Sequence, residues 1–225
     1  MHTPHRFDIY APIHKAIRHF MTDTLQRMGR VDVDDAQELG AALDQLDSLL
    51  QAARCHLQHE NEFIHPAIEA ACRGLSERIA GEHQDHLEAI AGLQAGSAAL
   101  RAAPEARAAH RLYRQLAAFV AENLEHMDVE ETRHNQALWE THADGELQAI
   151  EGRILASIGP DEMGLWLRWM IPALSPAERA QMIAGMPQEA RAPVLELARA
   201  RLDDTAWAKL SRALGQAPVP GLVAA

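Results

Sequence analysis

The sequence predicts an all-α fold, an up-down-up-down four-helix bundle followed by a set of short C-terminal helices. Alanine is abundant, aromatic residues make up only 4% of the 225 residues, and no stretch sustains the alternation of β-branched residues that a strand needs. Four successive stretches in the first ~145 residues carry apolar side chains at helical spacing and are joined by modest connections, the usual recipe for a bundle. Beyond Gly145, closely spaced prolines divide the chain into shorter amphipathic pieces.

The first predicted helix runs from about Asp8 to Met28, with Ile13, Ile17, Phe20, Met21 and Met28 on one stripe, and stops at Gly29. His14 lies at the edge of that stripe, roughly 60° from Ile17 at ~100° per residue. The acidic cluster VDVDDAQ offers N-cap residues for a long second helix bearing Leu43, Leu46, Leu49, Leu50, Ala53, Leu57, Phe63 and Ile64. Pro66 should break or kink it. A third helix, capped by Ser76 and reaching about Arg101, has Ile79, Leu87, Ile90 and Leu93 as its stripe, with His83 and His86 inside it and Glu82 and Asp85 outside. Pro104 fits the first turn of a fourth helix that carries Leu112, Leu116, Phe119, Val120, Asn123 and Met127 to about Glu140. Prolines 160, 172, 176, 187 and 193 then cut the remainder into short helices that hold Trp166, Trp169 and Trp207, and the tail APVPGLVAA reads as loose.

Two stretches repeat one pattern. CHLQHENEFIHP places His56 four residues before Glu60, and EHMDVEE places His126 four residues before Glu130. An i, i+4 pair shares one face of a helix, so each stretch offers an imidazole and a carboxylate to the same ion. Both pairs fall on the apolar faces of their helices, with Glu131 at the margin. A lone inward histidine is ordinarily a core residue bonded to a neighbour, but an unpaired buried carboxylate is expensive and needs a cation or a proton. The inward polar set is His14, His56, Glu60, His83, His86, His126 and Glu130, from four separate helices. Four or five imidazoles with two carboxylates suit two borderline divalent ions, iron, manganese or zinc, rather than calcium or magnesium. His2, His5, His19, His59, His65, His110 and His142 read as solvent-facing or off the stripe, and His134 as sharing the inner face of helix four but lying two turns beyond His126, outside the site.

Bulk composition narrows the rest. With 21 basic and 32 acidic residues the net charge is -11, which disfavours nucleic acid and anionic membrane as partners. Cys55 and Cys72 form no disulfide framework, and the first residues lack a basic start and apolar run, so the reading is a soluble, cytoplasmic protein. There is no phosphate loop, serine elbow or Cys-x-x-Cys pair.

Over residues 8 to 145 the chain resembles the hemerythrin-like (hemerythrin HHE cation-binding) family, through His14 in IHKAIR, the H-x-x-x-E and closing proline of HLQHENEFIHP, the helix-three EHQDHL, and the H-x-x-x-E-E of HMDVEE. The resemblance implies a non-haem di-iron centre in residues 1–145, with Glu60 and Glu130 as bridging carboxylates and His14, His56, His83 or His86, and His126 as terminal ligands. Oxygen-carrying members have H-x-x-x-H in helix three and H-x-x-x-x-D in helix four, where this chain has H-x-x-H and Glu131. The pattern is closer to bacterial and iron-sensing members with two H-x-x-x-E helices, and implies binding or sensing of oxygen, iron, nitric oxide or peroxide. Two further expectations are an enzyme with peroxidase-like or nitrosative-damage repair activity, and a regulatory protein whose C-terminal helices (residues 146–225) meet a partner or a second copy of the chain. Trp166, Trp169, Met170 and Ile171 would form that surface unless they pack on the bundle.

Overall fold

A computed structural model describes residues 6–75 and 77–215, with the side chains of residues 71, 77, 78 and 80 left aside. The expected Ser76 cap and the C-terminal tail lie outside the described residues. Helix α1 (Ala11–Arg30) starts where the Asp8 carboxylate accepts hydrogen bonds from the backbone N–H groups of Tyr10 and Ala11, at 3.0 and 2.9 Å. Helix α2 (Ala36–His59) is capped by Asp35, which accepts from the N–H groups of Gln37 and Glu38. α4 (Glu77–Ala102) and α5 (Ala106–Val129) complete a closed ring in which α1 packs on α2 and α5, and α4 on α2 and α5. Ile17, Phe20 and Met21 of α1 meet Leu43, Leu46 and Leu50 of α2, Ile90 and Leu93 of α4, and Leu112, Leu116 and Phe119 of α5 in one core.

Neither long helix ends where its motif does. α2 continues through a π-helical turn, Glu60–Ile64, into the short α3 (His65–Ala71), and α5 continues through a second π turn, Glu130–His134, into α6 (Asn135–Thr141). The expected break at Pro66 is therefore corrected. The wider turn just before it, closed by the His65 N–H to the Glu60 carbonyl, takes up the irregularity, and the chain stays helical. α3 and α6 pack together and, with Ile9, Tyr10 and the first turns of α7 (Asp144–Ser157), form a second apolar cluster under the bundle: Ile64, Ile68, Leu138, Leu147 and Ile150.

The C-terminal helices α8 (Pro160–Ala173), α9 (Pro176–Gly185), α10 (Gln188–Arg201) and α11 (Asp204–Ala213) enclose a third cluster around Ile171, Ile183, Val194, Ala198 and Leu210. Pro160 and Pro176 open helices as expected, but Pro172 and Pro193 sit inside α8 and α10. Pro193, which offers no N–H to the turn before it, is exposed. The end of α8 is held by Arg179, whose buried guanidinium donates to the carbonyls of Ile171 and Leu174 at 2.7 Å each. α8 itself lies against α1: Trp169 stacks on Phe20 with ring centroids 3.9 Å apart, and Trp166 and Trp169 are buried in the main core. Of the two readings for these tryptophans, a partner surface or packing on the bundle, the fold shows the second. Among the described residues no helix is long and apolar enough to cross a membrane.

Candidate metal centre

The regular spiral of α2 and α5 up to their last turns delivers His56 with Glu60, and His126 with Glu130, to the middle of the bundle. α1 adds His14 and α4 adds His83. Their ligand atoms gather in two groups: His14, His56, Glu60 and Glu130, and His83, His126, Glu60 and Glu130. His56 Nε2 is 3.1 Å from Glu60 Oε1, and His14 Nε2 is 3.6 Å from that oxygen and 3.5 Å from Glu130 Oε2. On the other side His83 Nε2 is 3.5 Å from Glu60 Oε2, and His126 Nε2 is 3.4 Å from Glu130 Oε1. Both carboxylates belong to both groups and are 1% exposed or less.

These separations fit cations. Two nitrogens each ~2.1 Å from a shared ion and at right angles to one another stand about 3 Å apart, and the Nε2 atoms of His83 and His126 are 3.0 Å apart. Neither oxygen of Glu60 or Glu130 has a hydrogen-bond partner, nor does Nε2 of His14 or His56. A buried carboxylate with no donor is costly, so the set is built for a charge to come between them.

Three of the four imidazoles are aimed from behind. His14 Nδ1 donates to Glu131 Oε1 at 3.0 Å, His83 Nδ1 to the Asn61 amide oxygen at 2.9 Å, and His126 Nδ1 to Glu82 Oε2 at 2.9 Å. This fixes each Nε2 toward the carboxylates, the arrangement that holds metal-binding histidines in place. Arg18 in turn holds Glu131. Glu131, read at the margin of its helix, Glu82, read outside its stripe, and Asn61, which the sequence did not single out, act through partners on other helices, and no single-helix pattern marks them.

Without a cation the charges rearrange. Burial opposes a charge on His14 and on His126, but the carboxylates around them outweigh it, Glu131 and Glu60 for His14, Glu130 and Glu82 for His126, each ring being raised to about 9. His83 goes the other way, to about 3, because it is buried and lies beside His126. Protonated His126 then donates from Nε2 to the bare Nε2 of His83. Burial acts against the charge of Glu60, yet His56 and His14 hold its carboxyl well below the usual range, whereas burial and the charge of Glu60 raise Glu130.

The remaining sequence candidates separate. His86 is buried, its ring edge-on to His126 with centroids 4.8 Å apart and 6.1 Å from Phe119, but it joins neither group. His65, read as off the stripe, and His134, read as inward but two turns beyond the site, are buried, and with Glu130 they form a third group. For His65 the extra residue of the first π turn is the reason: at ~100° per residue it is about 140° from Glu60, and delaying it by one residue brings it to about 40°, whereas His134 is one turn from Glu130 by ordinary spacing. Burial and mutual proximity push His134 to about 4, the nearby Leu75 backbone pulling the other way without a bond of proper geometry, and burial lowers His65 as well.

No curated protein and no solved structure matches the chain. The family model described as Hemerythrin HHE cation binding domain matches residues 5–137. That span contains both four-donor groups and more than half of the 225 residues, so the chain belongs to the hemerythrin HHE cation-binding domain family.

Proposed function

We propose that residues 1–145 hold two iron ions and that the centre binds or senses a small ligand: oxygen, nitric oxide, peroxide, or iron itself. His14 and His56 would hold one ion, His83 and His126 the other, with Glu60 and Glu130 shared. The observation that carries this reading is the pair of four-donor groups with two common, partnerless carboxylates at the centre of the bundle. Bound iron supplies redox electrons and open coordination positions for such a ligand. The protein's own part is to orient and to exclude. Glu131, Asn61 and Glu82 fix the rings, and the buried side chains Leu46, Ile90 and Phe119 belong to the wall that keeps bulk water out.

Residues 146–225 are read as an extension in which α8 covers the α1 face of the bundle. The free thiols of Cys55 and Cys72 suit a reducing, cytoplasmic setting. The test is metal analysis and optical spectroscopy on protein purified without oxygen, before and after air. Close to two irons per chain and a near-ultraviolet charge-transfer band after exposure are expected. Protein with less than one iron per chain after anaerobic reconstitution, or with iron but no spectral response to any of these ligands, would overturn the reading.

A further inference from the structure

On the floor side of Glu130 lies a set of polar atoms that the two-ion centre does not use. His65, the first residue after one π turn, and His134, the last residue of the other, face each other with ring centroids 6.1 Å apart. His134 is fully buried and neither of its ring nitrogens has a hydrogen-bond partner, nor does Nε2 of His65. Ligand atoms of His65, His134 and Glu130 all lie within 4.8 Å of one another. Next to them are two more buried groups without partners, the Tyr10 hydroxyl and the Asn135 amide oxygen; the Tyr10 ring is 6.5 Å from that of His134, and the Asn135 amide nitrogen is occupied by Asp8.

A buried polar atom left unbonded is costly, so several in one place call for a guest. Two imidazoles and a carboxylate converging from two helices are the His2Glu set that takes iron(II), cobalt(II) or zinc. We propose that His65, His134 and Glu130 form a third divalent-cation position, beside the pair and sharing Glu130 with it. Three protein donors leave part of the coordination sphere to water, for which the Tyr10 hydroxyl and the Asn135 carbonyl are available partners. Glu130 then serves neighbouring cations, so their repulsion makes this position the last to fill, at about tenfold weaker affinity or less tight still.

The inference rests on the two-ion reading through Glu130, and a titration separates their failures. Metal-free full-length protein is titrated with cobalt(II) chloride without oxygen, following visible absorption and dialysis stoichiometry. Three equivalents are expected for the wild type, two tight and one weaker; His134→Leu and His65→Gln should each take two, with the tight pair unchanged. A wild type that saturates at two, or a His134→Leu protein that still takes three, overturns the third position. So does loss of a tight equivalent in both variants, which would make the two rings ligands of the pair. Fewer than two tight equivalents in the wild type overturns the two-ion reading instead, and the third position with it unless the weak equivalent persists and vanishes in both variants.

Discussion

Loading the centre must expel protons, and the geometry says how many. His14 and His126 are each raised to about 9 by carboxylates that hold them in the empty chain, and both must give up the Nε2 proton before that nitrogen can bind an ion. At pH 7 a group of pKa 9 is about 99% protonated, so full loading should release close to two protons from these rings; rings at the ordinary 6.5 would release about half a proton together. The same arithmetic sets the pH dependence. Between pH 7 and 8 the product of the two apparent association constants should rise about eightyfold, against less than about twofold for unshifted rings, and the rise should level off above pH 9. The sign follows from competition: protons and metal contest the same nitrogen lone pair, so affinity falls as pH falls. Calorimetry of zinc chloride added to chelator-stripped protein, in two buffers of different ionisation enthalpy at pH 7, counts the protons directly. Release of less than about one proton per loaded chain, or a pH effect below about fivefold, would refute the account of how the empty site holds its charge.

Three further outcomes are expected. Metal-free protein should be most stable near pH 6.5: the contribution of His14 and His126 is complete below 6.5 and is lost as pH rises through about 9, while His83, His86 and His134, lowered to about 3, 4 and 4, cost stability as pH falls from 6.5 toward those values. Urea unfolding of stripped protein at pH 5, 6.5 and 9 checks it, and a midpoint rising steadily across that range would contradict it. Inserting one alanine after exposed Glu62 in the first π turn should turn everything after it by ~100°, removing Ile64 and Ile68 from the lower core at a cost of about 3 kcal/mol or more in a urea titration; an unchanged midpoint would show that the turn does not set the phase. Trp169→Ala should cost about 3–5 kcal/mol in the unfolding of the whole chain, because it vacates the stack on Phe20; a loss confined to a separate C-terminal transition would show that α8 is not part of the bundle core.

The parts of the site that were legible in the sequence are those on unbroken helix. His56 and His126 sit on regular stretches of α2 and α5, and Glu60 and Glu130 open the π turns with their own N–H groups still bonded to the His56 and His126 carbonyls, so ~100° per residue holds across each pair and spacing alone put them on the inner face. His65 lies past a π turn that no composition cue marks, and the angular count goes wrong by one residue there. His134 was within reach: measured from His126 it is two turns away, but from Glu130 it is one. Glu82, Asn61 and Glu131 earn their place only through bonds to histidines of other helices, which is tertiary information. For the tryptophans the spacing showed amphipathic helices without showing what they cover, and α1 turns out to be the surface under α8.

The placement of α8 has a practical side. The Trp166 indole lies 6.5 Å, ring centre to ring centre, from His56, and its N–H is bonded to Glu162, whose carboxylate also stands 3.8 Å from His59. An emitting side chain has thereby been set within quenching distance of a proposed ligand. Its fluorescence is an intrinsic gauge of occupancy, and any motion of the C-terminal segment would change the reading of that gauge as surely as the arrival of an ion.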